Sequence, residues 1–165
     1  MPRLFVAVWP PEDLLDRLAD IERPRDPGVR WLPRENLHVT LRFLGDADED
    51  DVVARLDEVF LPTATAVVGP AFDVIAERAV ILPVTGLDDL AGCVIDALRG
   101  LGTEAERRRF LGHITMARLA RGARPARSLG SLFEASFEAS EVALVASTLT
   151  KGGSVYETVA TWPTR

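Results

Sequence analysis

Arg3-Leu4-Phe5-Val6-Ala7-Val8-Trp9 is an apolar run of strand length closed by Pro10 and Pro11, which predicts a short buried strand. After Pro11, a good first-turn residue, the period changes to that of a helix: Leu14, Leu15, Leu18 and Ile21 recur at helical spacing as far as about Arg23. Pro24, Pro27 and Gly28 end it. Val29 to Leu32 reads as a short strand, Pro33 to Asn36 as a turn, and Leu37 to Leu44 as an alternating, half-buried strand that stops at Gly45. The acidic run from Asp46 to Asp51 favours a helix start, because carboxylates stabilise the positive end of the helix dipole. Val52, Val53, Leu56, Val59 and Phe60 supply that helix's apolar stripe, and Pro62 stops it.

In the second half, Thr65 to Ile75 and Ala79 to Val84 read as two strands with a tight connection at Glu77-Arg78. Leu90, Val94, Ile95, Leu98 and Leu101 predict a helix over Leu87 to Leu101. A loop holding Arg107, Arg108 and Arg109 leads to a second alternating strand at His113. A further loop, Arg121 to Arg127, is followed by a short turn or helix through Ser128 to Phe133. Two last strands, about Glu134 to Leu149 and Val155 to Trp162, meet at Lys151-Gly152-Gly153-Ser154, a strong hairpin signal.

Composition sets the limits. At 165 residues and 47% hydrophobic content the chain can bury one full core. The opening apolar run is too short for a membrane span or a signal segment, so a cytoplasmic protein with no membrane partner, a monomer, is expected. Cys93, the one cysteine, sits among apolar neighbours and reads as a small core filler. A net charge of -6 excludes a general nucleic-acid coating surface, yet Arg99, Arg107, Arg108, Arg109, Arg118, Arg121, Arg124 and Arg127 cluster against only Glu104 and Glu106, as a local anion site would.

The chemistry lies in a repeat. The only two histidines stand in His38-Val39-Thr40-Leu41 and His113-Ile114-Thr115-Met116. On a strand, residues i and i+2 share a face, so each segment presents an imidazole beside a hydroxyl. Two imidazoles can divide proton transfer, one as base on a nucleophile and one as acid on a leaving oxygen, while threonines and an arginine take the charge of a phosphoryl group. Satisfied core histidines would not be expected twice in matched settings. No H-x-H, C-x-x-C or H-E-x-x-H spacing supports a metal site, and no G-x-S-x-G elbow supports a serine hydrolase. The repeat predicts an α+β fold, one domain over residues 1–165. Two pseudo-symmetric lobes with largely antiparallel sheets would face each other across a central cleft, with helices outside.

Val29 to Gly45 and Phe110 to Arg118, with the opening strand and the Ser147 to Tyr156 hairpin, resemble the RNA 2′,3′-cyclic phosphodiesterase branch of the two-histidine phosphoesterases, also called 2′-5′ RNA ligases. The resemblance spans nearly the whole chain. It implies opening of a 2′,3′-cyclic phosphate at an RNA 3′ end to a 2′-phosphate, with no metal or other cofactor, and 2′-5′ ligation as the reverse. It implies that His38 protonates the leaving 3′-oxygen, that His113 activates water, that Thr40, Thr115 and Arg118 hold phosphate oxygens, and that Phe43 stacks on the terminal base. Small cyclic nucleotides or 2′-5′ oligonucleotides are sibling substrates, and a binding module for RNA ends or nucleotides is the reading from another class. Phe43 and Arg118 each lie five residues beyond a histidine and so, in an ideal strand, face away from it; both roles require twist, a bulge or a strand end. Arg42, of the opposite parity to Phe43, is left out of the site. Where the family often has proline before the second histidine, Leu111-Gly112 stands here and predicts a looser entry to that strand.

Overall fold

The computed structural model describes residues 2–103, 109–124 and 131–165. Arg107, Arg108, Arg127 and the predicted turn at Ser128 lie outside the described residues. The chain runs β1 (Arg3–Val8), α1 (Glu12–Ala19), β2 (Val29–Trp31), a 3-10 turn (Arg34–Asn36), β3 (Val39–Gly45), α2 (Glu49–Asp57), β4 (Thr65–Val68), β5 (Asp73–Ile75), β6 (Ala79–Thr85), α3 (Asp88–Ala97), β7 (His113–Leu119), β8 (Ala135–Glu138), β9 (Glu141–Thr150) and β10 (Gly153–Pro163). The acidic run starts α2 as expected: Asp48 is its N-cap and accepts from the Asp51 amide at 3.0 Å. No helix among the described residues is long and apolar enough to cross a membrane.

The α+β class and the antiparallel pairing hold, but the sheets are joined. All ten strands form one curled sheet in the order β10-β9-β1-β3-β7-β6-β4-β8, with β2 on β7 and β5 on β6. The join is narrow, a single residue pair between β3 and β7, Val39 with Ile114. Sequence parity reports which face a residue takes, not which strand it pairs with, so continuity between the halves was not readable from it. For the same reason the expected strand from Glu134 to Leu149 is two: β8 pairs with β4, whereas β9, beyond Ala139 and Ser140, pairs with β1 and β10 in the other half. The strand expected over Thr65 to Ile75 is likewise divided into β4 and β5 at Gly69-Pro70, since Pro70 has no N–H for a ladder.

Strand β1 sorts the two faces. Leu4, Val6 and Val8 enter the main core with Leu14, Leu18, Leu56, Leu90 and Val94 of the three helices. Phe5 and Ala7 sit on the other face in a separate small cluster with Ala143, Val145, Trp9 and Tyr156. The helices therefore cover one face of the sheet, and the aromatic cluster marks the opposite one.

Strict alternation from His38 and Thr40 would turn Arg42 to their face, but an irregularity in the β1–β3 pairing after Thr40 sends it to the helix side, where it is only 6% exposed. Its guanidinium donates to the carbonyls of Phe43, Leu101 and Thr103, tying β3 to the chain that leaves α3. Burial lowers its pKa from the ordinary arginine value. Arg42→Met removes three part-buried hydrogen bonds, and we expect it to cost about 1–3 kcal/mol in urea unfolding. An unchanged midpoint would show that the tether carries no stability.

Candidate active site

The Val39–Ile114 pair is where the two motifs meet. Both side chains are fully buried in the main core, so the flanking His and Thr of each motif face the other way. Antiparallel register then puts His38 across from Thr115 and Thr40 across from His113. These four residues line a cleft of about 940 Å3, together with Phe43 and Arg118. All six residues singled out in the sequence are thus brought to one place.

Two bulges bring the last two in. On β1, Ala7 pairs with Thr40 but Val6 pairs with Arg42, which leaves Leu41 as an extra residue. Phe43 consequently pairs with Phe5, on the same face of β1 as Ala7, and shares Thr40's side of the sheet. On β6, Ile81 pairs with Thr115 but Val80 pairs with Ala117, which leaves Met116 extra. Arg118 then pairs with Ala79, on the same face as Ile81 and Pro83, the partners of Thr115 and His113. The bulge falls three residues after the histidine in both strands. It gives the cleft an exposed aromatic from one half, Phe43 being 46% exposed, and a cation from the other.

Each imidazole is oriented by the backbone. His38 Nδ1 lies 2.8 Å from the Asn36 carbonyl, and His113 Nδ1 lies 2.8 Å from the Leu111 carbonyl, in both cases two residues upstream. A carbonyl only accepts, so Nδ1 carries the proton and Nε2 is left for chemistry. His38 Nε2 is 2.9 Å from Thr40 Oγ1. In the neutral ring it accepts from that hydroxyl. Asn36 also donates through Nδ2 to the Ser154 carbonyl at 3.0 Å, linking the loop before His38 to strand β10.

The surroundings of the two rings differ. His38 stacks on Phe5 at 4.8 Å between centroids and meets Tyr156 edge-on and Trp9 tilted, each at 5.4 Å. Burial in this cage pushes its pKa down from 6.5 to about 4. The Asn36 hydrogen bond opposes that shift, while the charges of Arg118 and His113 add to it. His38 is therefore neutral at neutral pH. His113 has no aromatic ring stacked on it among the described residues.

The entry to the second strand is tighter than the missing proline predicts. The Val84 amide donates to the Gly112 carbonyl at 2.9 Å. A Cβ at Gly112 would lie 2.4 Å from the Val84 carbonyl oxygen, so only glycine permits this approach of β7 to β6. Glycine here fastens His113 instead of loosening it.

Sequence reasoning missed Phe5, Trp9, Tyr156 and the carbonyls of Asn36 and Leu111. In the sequence Phe5 and Trp9 are simply strand apolars, and their odd spacing with Ala7 is the available sign of a shared face. The carbonyls carry no sequence signal, since every residue has one.

A family profile described as "LigT like Phosphoesterase" matches residues 8–67. The chain is 28% identical over 174 residues to the RNA 2′,3′-cyclic phosphodiesterase of Methanocaldococcus jannaschii, covering 97% of this chain and 99% of that protein. It is 30% identical over 154 residues to the RNA 2′,3′-cyclic phosphodiesterase of Geobacillus stearothermophilus, covering 83% of this chain but 48% of that longer protein. Its fold matches the crystal structure of E. coli LigT complexed with 3′-AMP, with a TM-score of 0.81 and 25% identity over 99% of this chain and 98% of that one.

Proposed function

Because the chain belongs to the LigT-like phosphoesterase family, with RNA 2′,3′-cyclic phosphodiesterase relatives, we propose that its cleft opens the 2′,3′-cyclic phosphate at an RNA 3′ end to a 2′-phosphate. The observation that carries this reading is the antiparallel meeting of the two H-x-T segments at Val39 and Ile114, which sets two imidazoles and two hydroxyls on one cleft wall. The phosphate lies between them, its non-bridging oxygens held by Thr40, Thr115 and Arg118. His113 Nε2 takes a proton from a water that attacks phosphorus. The bond from phosphorus to O3′ breaks, and His38 gives a proton to that oxygen, leaving the phosphate on O2′. Phe43, exposed at the cleft, stacks on the terminal base without selecting it. With a 5′-hydroxyl in place of water as the nucleophile, the same steps make a 2′-5′ linkage and free the 3′-hydroxyl. We read the chain as a single domain of two pseudo-symmetric lobes, each giving one H-x-T segment.

The cage around His38 favours a second division of labour. A ring kept neutral, with Nε2 unprotonated, is the form that accepts a proton from water. A nitrophenyl phosphodiester, whose leaving group needs no acid, separates the two. Activity of His38→Ala on this ester, with none for His113→Ala, supports His38 as the acid. The reverse pattern assigns it as the base.

Either division needs one proton on the pair, and both give the same bell-shaped pH dependence. The sign follows from the lowered pKa: as pH falls through about 4, His38 gains the second proton and the pair stops working. The acid limb of kcat/KM is thus expected near pH 4, read with a cyclic-phosphate substrate. A limb near 6.5 would show that the aromatic cage does not perturb His38 in the free enzyme.

Turnover in chelator tests the whole reading. Full activity is expected, and a loss that zinc or manganese restores would contradict it. Of the sibling substrates, small nucleotides draw support from the 3′-AMP complex of E. coli LigT. Comparison of a nucleoside 2′,3′-cyclic monophosphate with a cyclic-ended oligonucleotide decides between them.

A further inference from the structure

The arginine-rich stretch seen in the sequence is divided between two clefts. Beside the catalytic cleft lies another of about 980 Å3, lined by Arg78, Arg118, Arg121 and Arg124, with Glu77 as its one carboxylate. Its volume stands at the upper end of the range of ligand pockets, roughly 300–1,000 Å3. Arg118 borders both clefts, so they adjoin at the residue that we assign to the phosphate.

Four guanidiniums against one carboxylate is an unbalanced lining in a chain of net charge -6. None of the four has a side-chain hydrogen-bond or ion-pair partner among the described residues. Arg30 lies outside this cleft, beside the Gly152-Gly153 turn, yet its charge bears on Arg118. It pairs directly with Arg118 across β2 and β7, and like charges opposite one another on an antiparallel pair destabilise it unless an anion intervenes.

The wall of this cleft also holds strained backbone. The turn from β5 to β6 closes with the Arg78 amide donating to the Ile75 carbonyl at 3.0 Å. Its central residues are Ala76 and Glu77, one position earlier than the sequence predicts, both left-handed at φ 52° and 56°. Asn-Gly or Gly-Gly is the usual choice for such a turn. Non-glycine residues there are strained, and such strain concentrates at ligand sites.

We infer that this arginine-lined cleft holds the phosphodiester backbone of single-stranded RNA whose cyclic end occupies the catalytic cleft. The inference rests on the cyclic-phosphate reading for its substrate, and it adds a binding track for nucleotides upstream of the terminal one. The arginines neutralise successive phosphates, while the terminal group alone meets the histidines. Selectivity for a polymer over a mononucleotide then arises outside the reacting centre.

The test compares the parent with an Arg78→Ala/Arg121→Ala/Arg124→Ala triple variant. Three readouts are taken: kcat/KM on a short cyclic-ended RNA, kcat/KM on a nucleoside 2′,3′-cyclic monophosphate, and binding of a labelled short RNA across a salt series. The triple variant is expected to lose roughly 10–100-fold on the RNA and to stay within about twofold on the mononucleotide. The slope of log affinity against log salt should shrink by about 2, at about 0.7 per phosphate contact on a single strand. The corresponding triple lysine variant should keep most of the slope. Equal losses on both substrates, or RNA binding that the alanines leave unchanged, would overturn the inference. If the parent turns over neither substrate yet binds RNA through these arginines, the reading of the reaction fails and the track stands.

Discussion

His38→Ala and His113→Ala are each expected to lower kcat on a cyclic-ended RNA by about 10^2–10^4-fold, the span of a lost general acid or base. Each ring is held by one backbone hydrogen bond through Nδ1 and leaves Nε2 at the cleft, so truncation removes the proton carrier and little of the frame. The double variant should fall only slightly below the worse single one, since proton donor and acceptor act in one step. Losses that multiply would mean that the rings work independently. A stability readout separates chemistry from folding. The His38 pKa is lower in the folded state, so between about 4 and 6.5 the unfolded chain binds the extra proton and falling pH destabilises the parent. This contribution is fully present above pH 6.5 and lost as pH falls toward 4. His38→Ala should unfold with a shallower acid dependence than the parent, whereas an identical slope would place the titrating group elsewhere.

The second large effect is expected at Arg118. Arg118→Ala should lower kcat/KM by roughly 10^2–10^3-fold, comparable to the loss of one donor to a developing oxyanion. Arg118→Lys should recover part of this, because charge returns without the two-pronged guanidinium geometry. The effect should be similar on mononucleotide and RNA, in contrast to the neighbouring arginines, because Arg118 alone of the four also borders the catalytic cleft. A loss confined to RNA would move Arg118 out of the reacting centre and into the track.

This residue also shows where sequence reading stops. Alternation within His38 to Thr40 and His113 to Thr115 is local, so their shared faces were legible from the residues alone. The reach of Phe43 and Arg118 into the cleft was not, because a bulge is defined by two residues facing one on another strand. Leu41 and Met116 look like ordinary members of their runs, and only the β1 and β6 partners expose them as extra. The aromatic cage was hidden for a related reason: Phe5, Trp9 and Tyr156 meet His38 through pairings of β1 with β3 and β9 and of β9 with β10, far apart in sequence. Helix positions were read well where caps and stripes are local, as at Asp48 and Val52. Apolar spacing overextends all three helices, since α1 stops at Ala19, α2 at Asp57 and α3 at Ala97 while the spacing continues in the turns beyond. Leu98 is buried and Leu101 half-buried against the core without either being a helical member of α3.

The terminus the protein makes distinguishes two-histidine ring opening from every other outcome. A short RNA ending in a 2′,3′-cyclic phosphate is incubated in chelator with the parent, His38→Ala and His113→Ala, and the product end is identified. A 2′-phosphate is expected from the parent and almost none from either variant. A 3′-phosphate, or a parent that binds the RNA and leaves the ring closed, would contradict it.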